Sequence, residues 1–344
     1  MTTIQPNENG QQPEKITKHN IVPFIELDQY LDFVEMCEFA QTYCYLGLLL
    51  GPAGAGKTVS ARRYRDEQPL MTANGRSPVL YFQLARGEES HKALYRRVIE
   101  TITGSPYRNR LSAADLIGEI KRLFKRYGHS LIIIDEVGFL NNDGLEGART
   151  IHDDLDIPVV FIAMDTDFKD RVETDLKAFY SRIADVREFG LLSYDTLKFK
   201  VLPQVSPASH LAYSPDQPDA DEIAMELFEG AEGIRGESED KEKGARFRDV
   251  QVLLVRCHDI LDTQLRVREV WIAENPHKRA LKLPVFNAEL VRQALKKSKM
   301  RGKQPRQGSK GGRNSSLVRD DRPQASAPPV TEAQNAANNT AGEH

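Results

Sequence analysis

The residues Gly51 to Thr58 read GPAGAGKT and satisfy the pattern G-x-x-x-x-G-K-[ST] at Gly51, Gly56, Lys57 and Thr58. Each residue type answers a chemical need. Glycines let the backbone curl until successive N–H groups face one anion, the lysine ammonium reaches the terminal phosphates, and the threonine hydroxyl is a ligand for Mg²⁺. Pro52, Ala53, Gly54 and Ala55 complete the loop, and Val59 continues into a helical pattern whose positive end faces the same anion. A second stretch, LIIIDE, ends in Asp135 and Glu136. An acid at the end of a buried strand beside a phosphate loop holds the Mg²⁺ shell, and the next acid is placed to orient and polarise water. Two adjacent acids point to hydrolysis rather than to binding alone. The run DEVG also fits the D-x-x-G of GTPases, but the guanine-reading [NT]-K-x-D is absent, so the substrate expected is ATP, with Mg²⁺ as cofactor.

Further along, VVFIAMDTD ends an apolar run in polar residues, and Asp165 or Thr166 is a candidate sensor between the acids and the γ-phosphate. AFYSRIADVREF places Arg182 between a helix and a strand, where an arginine is able to project into a neighbouring subunit's nucleotide. The basic SARRY segment after the glycine loop reads as a solvated helix face with no assigned role.

These residues need a scaffold. Four short, near-continuously apolar runs at 44–51, 78–84, 130–136 and 157–165 predict strands buried on both faces. Helical patterns alternate with them at 57–67, 90–103, 112–127 and 143–155, the third opening with Ser112 and Asp115 as a capping pair. Such alternation predicts an α/β fold, a parallel sheet with flanking helices. From 196 onward the patterns are helical only, at 220–230, 246–261, 265–275 and 287–297, and predict a small helical lid domain. The expected organisation is a polar tail over 1–18, an α/β domain over 19–195, the lid over 196–297 and a basic, apolar-poor tail over 298–344.

With 344 residues, 40% hydrophobic and 28% charged, the chain is long enough for a substantial core. A net charge of −3 gives no global nucleic-acid signature. Cys37, Cys44 and Cys257 form no CxxC, which argues against a disulfide scaffold or zinc site and fits a reducing, cytoplasmic setting. The N-terminus has no apolar signal-like region, and no apolar run reaches the ~18 residues of a membrane span, so no membrane association is expected.

The order of phosphate loop, acid pair, polar strand end, arginine and helical lid resembles that of AAA+ ATPases. HNIVPFIELDQYLDFVEMCEFAQTYCYLGLLLGPAGAGKTVSARRY, LIIIDEVGFL, HDDLDIPVVFIAMDTDF and SRIADVREFGLLSYD resemble, more narrowly, the transposition regulators of the TniB/TnsC family, related to MuB and IstB. The resemblance implies a P-loop AAA+ sheet and lid. It implies an adenine pocket at Ile21 and Val22, phosphate binding by residues 51–59, and an arginine finger at Arg182. It also implies a lid sensor, for which Arg235 and Arg248 compete and Arg248 is favoured because it opens a helix. The partners implied are double-stranded DNA bound without sequence specificity, further copies of the chain in a ring or helical filament, a transposase and a target-selection protein. Basic residues Arg108, Arg110, Lys121 and Lys125, and eight Lys/Arg without an acid between Lys296 and Arg313, suit contact with phosphates. The sequence thus reads as an ATPase that assembles on target DNA, recruits a transposase and disassembles on hydrolysis. The rival readings are a loader ATPase acting mainly on a protein partner and a stand-alone P-loop kinase.

Overall fold

The computed structural model describes residues 21–70, 77–107, 111–175, 177–205, 210–235, 244–278 and 281–302. Helix α1 (Asp28–Tyr43) leads into β1 (Leu46–Leu50), the glycine loop and α2 (Lys57–Glu67). Strand β2 (Val79–Gln83), α3 (His91–Thr103), α4 (Ala113–Tyr127) and β3 (Leu131–Asp135) follow. Next come α5 (Asn142–Leu155), β4 (Val159–Ile162), α6 (Asp165–Asp175), the single turn α7 (Lys177–Tyr180) and β5 (Ile183–Glu188). The strands form one parallel sheet in the order β2-β3-β4-β1-β5.

Alternation along each strand sends side chains to two cores. Leu46, Leu48, Leu80, Phe82, Ile132, Ile134, Val159 and Phe161 pack on one face with residues of α3, α4, α5 and α6. Leu49, Val79, Tyr81, Leu131, Ile133, Val160 and Ile162 pack on the other with α1 and α2. Continuous apolar runs are therefore what both faces demand. Helix α4 carries the expected reciprocal cap, Ser112 accepting from the Asp115 amide and Asp115 accepting from the Ser112 amide.

The remaining helices are α8 (Ala220–Arg235), α9 (Phe247–Glu274) and α10 (Ala288–Gly302). They share a third core with Leu192, Leu197, Val201, Ile21 and Val22. The sequence reading of two helices at 246–261 and 265–275 is corrected: α9 is one helix of 28 residues. Its joint, Asp262-Thr263-Gln264, has no Gly or Pro to stop it. There Asp262 pairs with Arg266 at 2.9 Å, and the Thr263 hydroxyl donates to the Asp259 carbonyl at 2.7 Å. Helix α10 likewise continues past 297, to Gly302. Residues 1–20 and 303–344, which hold most of both expected tails, lie outside the described residues.

Candidate functional site

The site forms where β1 and β3 end on the same edge of the sheet. Gly51, Gly54 and Gly56 have φ of 143°, 85° and 105°, a region in which side chains are strained. At Gly51 a Cβ would also lie 2.4 Å from the Phe189 carbonyl oxygen. Gly51→Ala is therefore expected to cost about 3 kcal/mol of stability, read as a lowered midpoint in urea denaturation. An unchanged midpoint would show that the loop is not held against Phe189.

Lys57 is buried, and its ammonium donates to the carbonyls of Gly51 at 2.5 Å and Pro52 at 2.9 Å. Helix α2 starts at Gly56 with no side-chain cap and no acid in its first turn. Its leading amides and its positive end are thus left to an anion. Pro52, Ala53, Ala55 and Thr58 are half-buried around the loop, and Val59 is exposed.

Asp135 is the last residue of β3 and shares a face with Leu131 and Ile133, the face covered by α2. It is buried, yet its Oδ2 accepts from the Thr58 hydroxyl at 2.7 Å and the Tyr81 hydroxyl at 3.0 Å. Its Oδ1 accepts from the Glu136 amide at 2.8 Å. Thr58 and Asp135, the metal pair expected from sequence, thus meet in space. Hydroxyl and carboxylate oxygens suit a hard cation such as Mg²⁺, and the residues present fit it. Glu136 has φ 58°, a left-handed conformation that turns the chain out of β3 into a 3₁₀ turn and leaves the side chain half-exposed beside the loop.

The helical segment after β5 meets the loop through the start of α9. The Arg248 amide donates to the Gly54 carbonyl at 3.3 Å, and the Arg248 Cβ lies 3.1 Å from where a Gly54 side chain would begin. An antiparallel bridge between Leu192 and Ala245 fixes this helix start. Arg246 also lies beside Gly54, and sequence reasoning missed it. Its Nε and the Asp249 Oδ2 are buried without a hydrogen-bond partner among the described residues. Burial pushes the Asp249 carboxyl up, against the pull of Arg246 and Arg248. The side chain of Arg235, the rival lid arginine, lies outside the described residues.

Ile21 and Val22 are buried in the third core, with Leu192 of the segment that follows β5. Asp165 and Thr166 open α6 just beyond β4, and their side chains lie outside the described residues. Arg182 immediately precedes β5 and is 54% exposed, with Asp153 at 3.6 Å. Strand β5 runs parallel to β1, pairing Ile183 with Leu46 and Glu188 with Leu50. The loop follows Leu50, so Arg182 sits at the opposite end of the sheet, roughly 17 Å away by the rise of a strand. The structure does not bring it to its own chain's site. Lys121 and Lys125 are exposed on α4, while Arg108 and Arg110 lie outside the described residues.

Tyr81 is the other residue that sequence reasoning missed. Only its position in a strand two residues before the level of Asp135, on the same face, signals the contact. Its hydroxyl pKa is pushed up to about 12, first by burial and then by the Asp135 charge. The SARRY segment is likewise more than a solvated face. Ser60, Ala61 and Tyr64 are buried, Arg62 and Arg65 lie 5.7 and 5.6 Å from the Tyr81 ring centre, and Arg63 lies 5.4 Å from that of Phe24. All three cysteines are free. No described helix is long and apolar enough to cross a membrane.

Residues 40–172 match the family model described as AAA domain. The chain is 30% identical over 195 residues to a Staphylococcus aureus protein named "potential ATP-binding protein", covering 50% of this chain and 69% of that one. Among solved structures it resembles the Aeropyrum pernix ORC2 protein in its ADPNP–ADP complexes, with a TM-score of 0.53 at 14% identity, over 81% of this chain and 69% of that one. It also resembles CDC6P from Pyrobaculum aerophilum, with a TM-score of 0.52 at 15% identity, over 72% of this chain and 67% of that one. The A. pernix ORC1 protein in complex with DNA matches with a TM-score of 0.50 at 18% identity, over 81% and 69%. The fold is that of the AAA+ P-loop ATPases.

Proposed function

The chain belongs to the family of AAA-domain proteins, and from that premise we propose that it is an ATP-hydrolysing switch that assembles on DNA. The observation that carries the reading is the convergence of Thr58 and Asp135 at 2.7 Å, with the half-exposed Glu136 beside them. That is half a metal shell with an acid adjacent, the arrangement in-line hydrolysis needs. The loop amides and the start of α2 bind the phosphates, Lys57 turns its ammonium from the Gly51 and Pro52 carbonyls to the terminal phosphates, and Glu136 orients water. Thr58 and Asp135 would hold Mg²⁺, which would supply positive charge against the phosphates when bound. Ile21 and Val22, themselves buried, would back the pocket for the base. Arg248 reads the nucleotide from the lid, and Asp165 does so from the end of β4.

Hydrolysis in this scheme is shared between copies. Arg182 is too far from its own phosphate loop to act there, and its exposure leaves it open to a neighbour's nucleotide. A ring or helical filament of the chain on duplex DNA provides that neighbour, with Lys121 and Lys125 facing phosphates. Arg182→Ala is expected to retain ATP binding as a lone subunit and to lose the gain in turnover on assembly. Equal gains in variant and wild type would place the finger elsewhere.

The finer role proposed is that of a TniB/TnsC-type transposition regulator: ATP-bound assemblies mark target DNA, recruit a transposase, answer to a target-selection protein and come apart on hydrolysis. The resemblance of the lead-in IVP and of the SRI segment supports it. The test is the ATPase rate with and without duplex DNA, together with ATP-dependent sedimentation on DNA. Stimulation and co-sedimentation are expected. Turnover stimulated only by a protein partner would favour a loader, and phosphate transfer to a small acceptor would favour a kinase.

A further inference from the structure

Strand β2 ends the sheet, and its open edge forms one wall of a cleft of about 930 Å³. Arg62 and Arg65 of α2, Arg97 of α3, and the carboxy-terminal turn of α3 through Gly104 and Pro106 complete it. Among the described residues the lining holds three guanidinium groups and one carboxylate, Glu100, which already accepts from the Tyr107 amide at 2.9 Å. Arg62 is exposed and has no carboxylate partner among the described residues. Among the described residues Arg65 pairs with its neighbour Asp66, and Arg97 lies 3.7 Å from Glu88 and donates to the Gln83 carbonyl at 3.4 Å. Guanidinium groups gathered with so little acid are matched to phosphate oxygens, which they grip in pairs. A cleft of that volume has room for a chain of phosphates rather than a single one.

The cleft also touches the catalytic centre. Arg62 and Arg65 flank the Tyr81 ring, and the Tyr81 hydroxyl donates to the same Asp135 oxygen that receives Thr58. We propose that this cleft binds the phosphodiester backbone of a nucleic acid, and that Tyr81 couples its occupancy to the position of the Asp135 carboxylate. Drawing the two guanidinium groups toward phosphates changes what holds the ring, and with it the second hydrogen bond on Asp135. The inference rests on the DNA-binding reading above but assigns it a different surface from α4, and a positioning role to Tyr81.

The test measures duplex affinity by fluorescence anisotropy across a salt series with ATP present. Arg62→Ala/Arg65→Ala is expected to weaken binding at least about tenfold and to flatten the slope of log affinity against log salt by about 1.8, the counterions of two phosphates. Arg62→Lys/Arg65→Lys is expected to keep most of that slope, which guards against a folding defect in the alanine pair. Tyr81→Phe is expected to bind duplex as wild type does but to lose the duplex-induced rise in kcat, with KM for ATP unaltered. Wild-type affinity and slope in the alanine pair would overturn the site, and full stimulation in Tyr81→Phe would overturn the coupling. A wild-type chain without duplex affinity would overturn the DNA reading as well.

Discussion

Replacing Lys57 with alanine is expected to abolish ATP binding, a loss of at least about a hundredfold in affinity, or ~2.7 kcal/mol. The ammonium is buried and held by two loop carbonyls at 2.5 and 2.9 Å, so it stands ready at the mouth of the glycine loop rather than in solvent. A bound triphosphate would take over those hydrogen bonds with an acceptor that is itself charged, a stronger pairing than ammonium with a neutral carbonyl. Alanine removes the cation and leaves the Gly51 and Pro52 carbonyls without this donor, so some stability is lost too. Lys57→Met separates the two effects. It keeps the packed stem and loses the charge, and it is expected to unfold near the wild-type temperature while still failing to bind. Titration with a fluorescent ATP analogue reads both variants. Retained affinity in Lys57→Met would remove GPAGAGKT from the nucleotide site.

Glu136→Gln is expected to bind ATP normally and to hydrolyse it about a thousandfold more slowly, within the range of a lost general base. Glu136 adjoins Thr58 and Asp135 but takes no part in the phosphate loop, so affinity is spared. Glutamine is nearly isosteric and keeps the fold of the turn at φ 58°. Single-turnover kinetics measure the chemical step directly. Because release depends on hydrolysis in this scheme, complexes of the variant with DNA persist correspondingly longer. Wild-type single-turnover rates would assign the water-orienting role to another group.

Much of this site was legible because the relevant signals are local. The glycine loop is a contiguous backbone requirement, and α2 spans the expected 57–67. The strands were visible because a parallel sheet covered on both faces needs uninterrupted apolar runs, as in LLL and LIII. The capping pair of α4 was visible because both members lie within one turn. Long-range contacts were not. That Tyr81 reaches Asp135 follows from the β2–β3 register, which pairs Tyr81 with Ile133 and Gln83 with Asp135, and no local pattern encodes a register. The SARRY arginines, Arg62 and Arg63, read as solvated because their partner rings, Tyr81 and Phe24, lie elsewhere in the chain. The joint at 262–264 was misread because a polar triplet interrupts the apolar stripe without interrupting helix geometry.

The unbroken course of α9 makes it a long lever arm. Its first turn rests on the glycine loop through Arg248 and Gly54, and its last turn ends 28 residues later, about 42 Å along the axis. A rigid rod of that length multiplies angle into distance: a tilt of about 5° at the loop sweeps the far tip through about 4 Å. Exposed Val267 and Val270 ride on the half that moves most. Two helices joined by a hinge would absorb such a tilt at the joint, whereas one continuous rod delivers it to its tip.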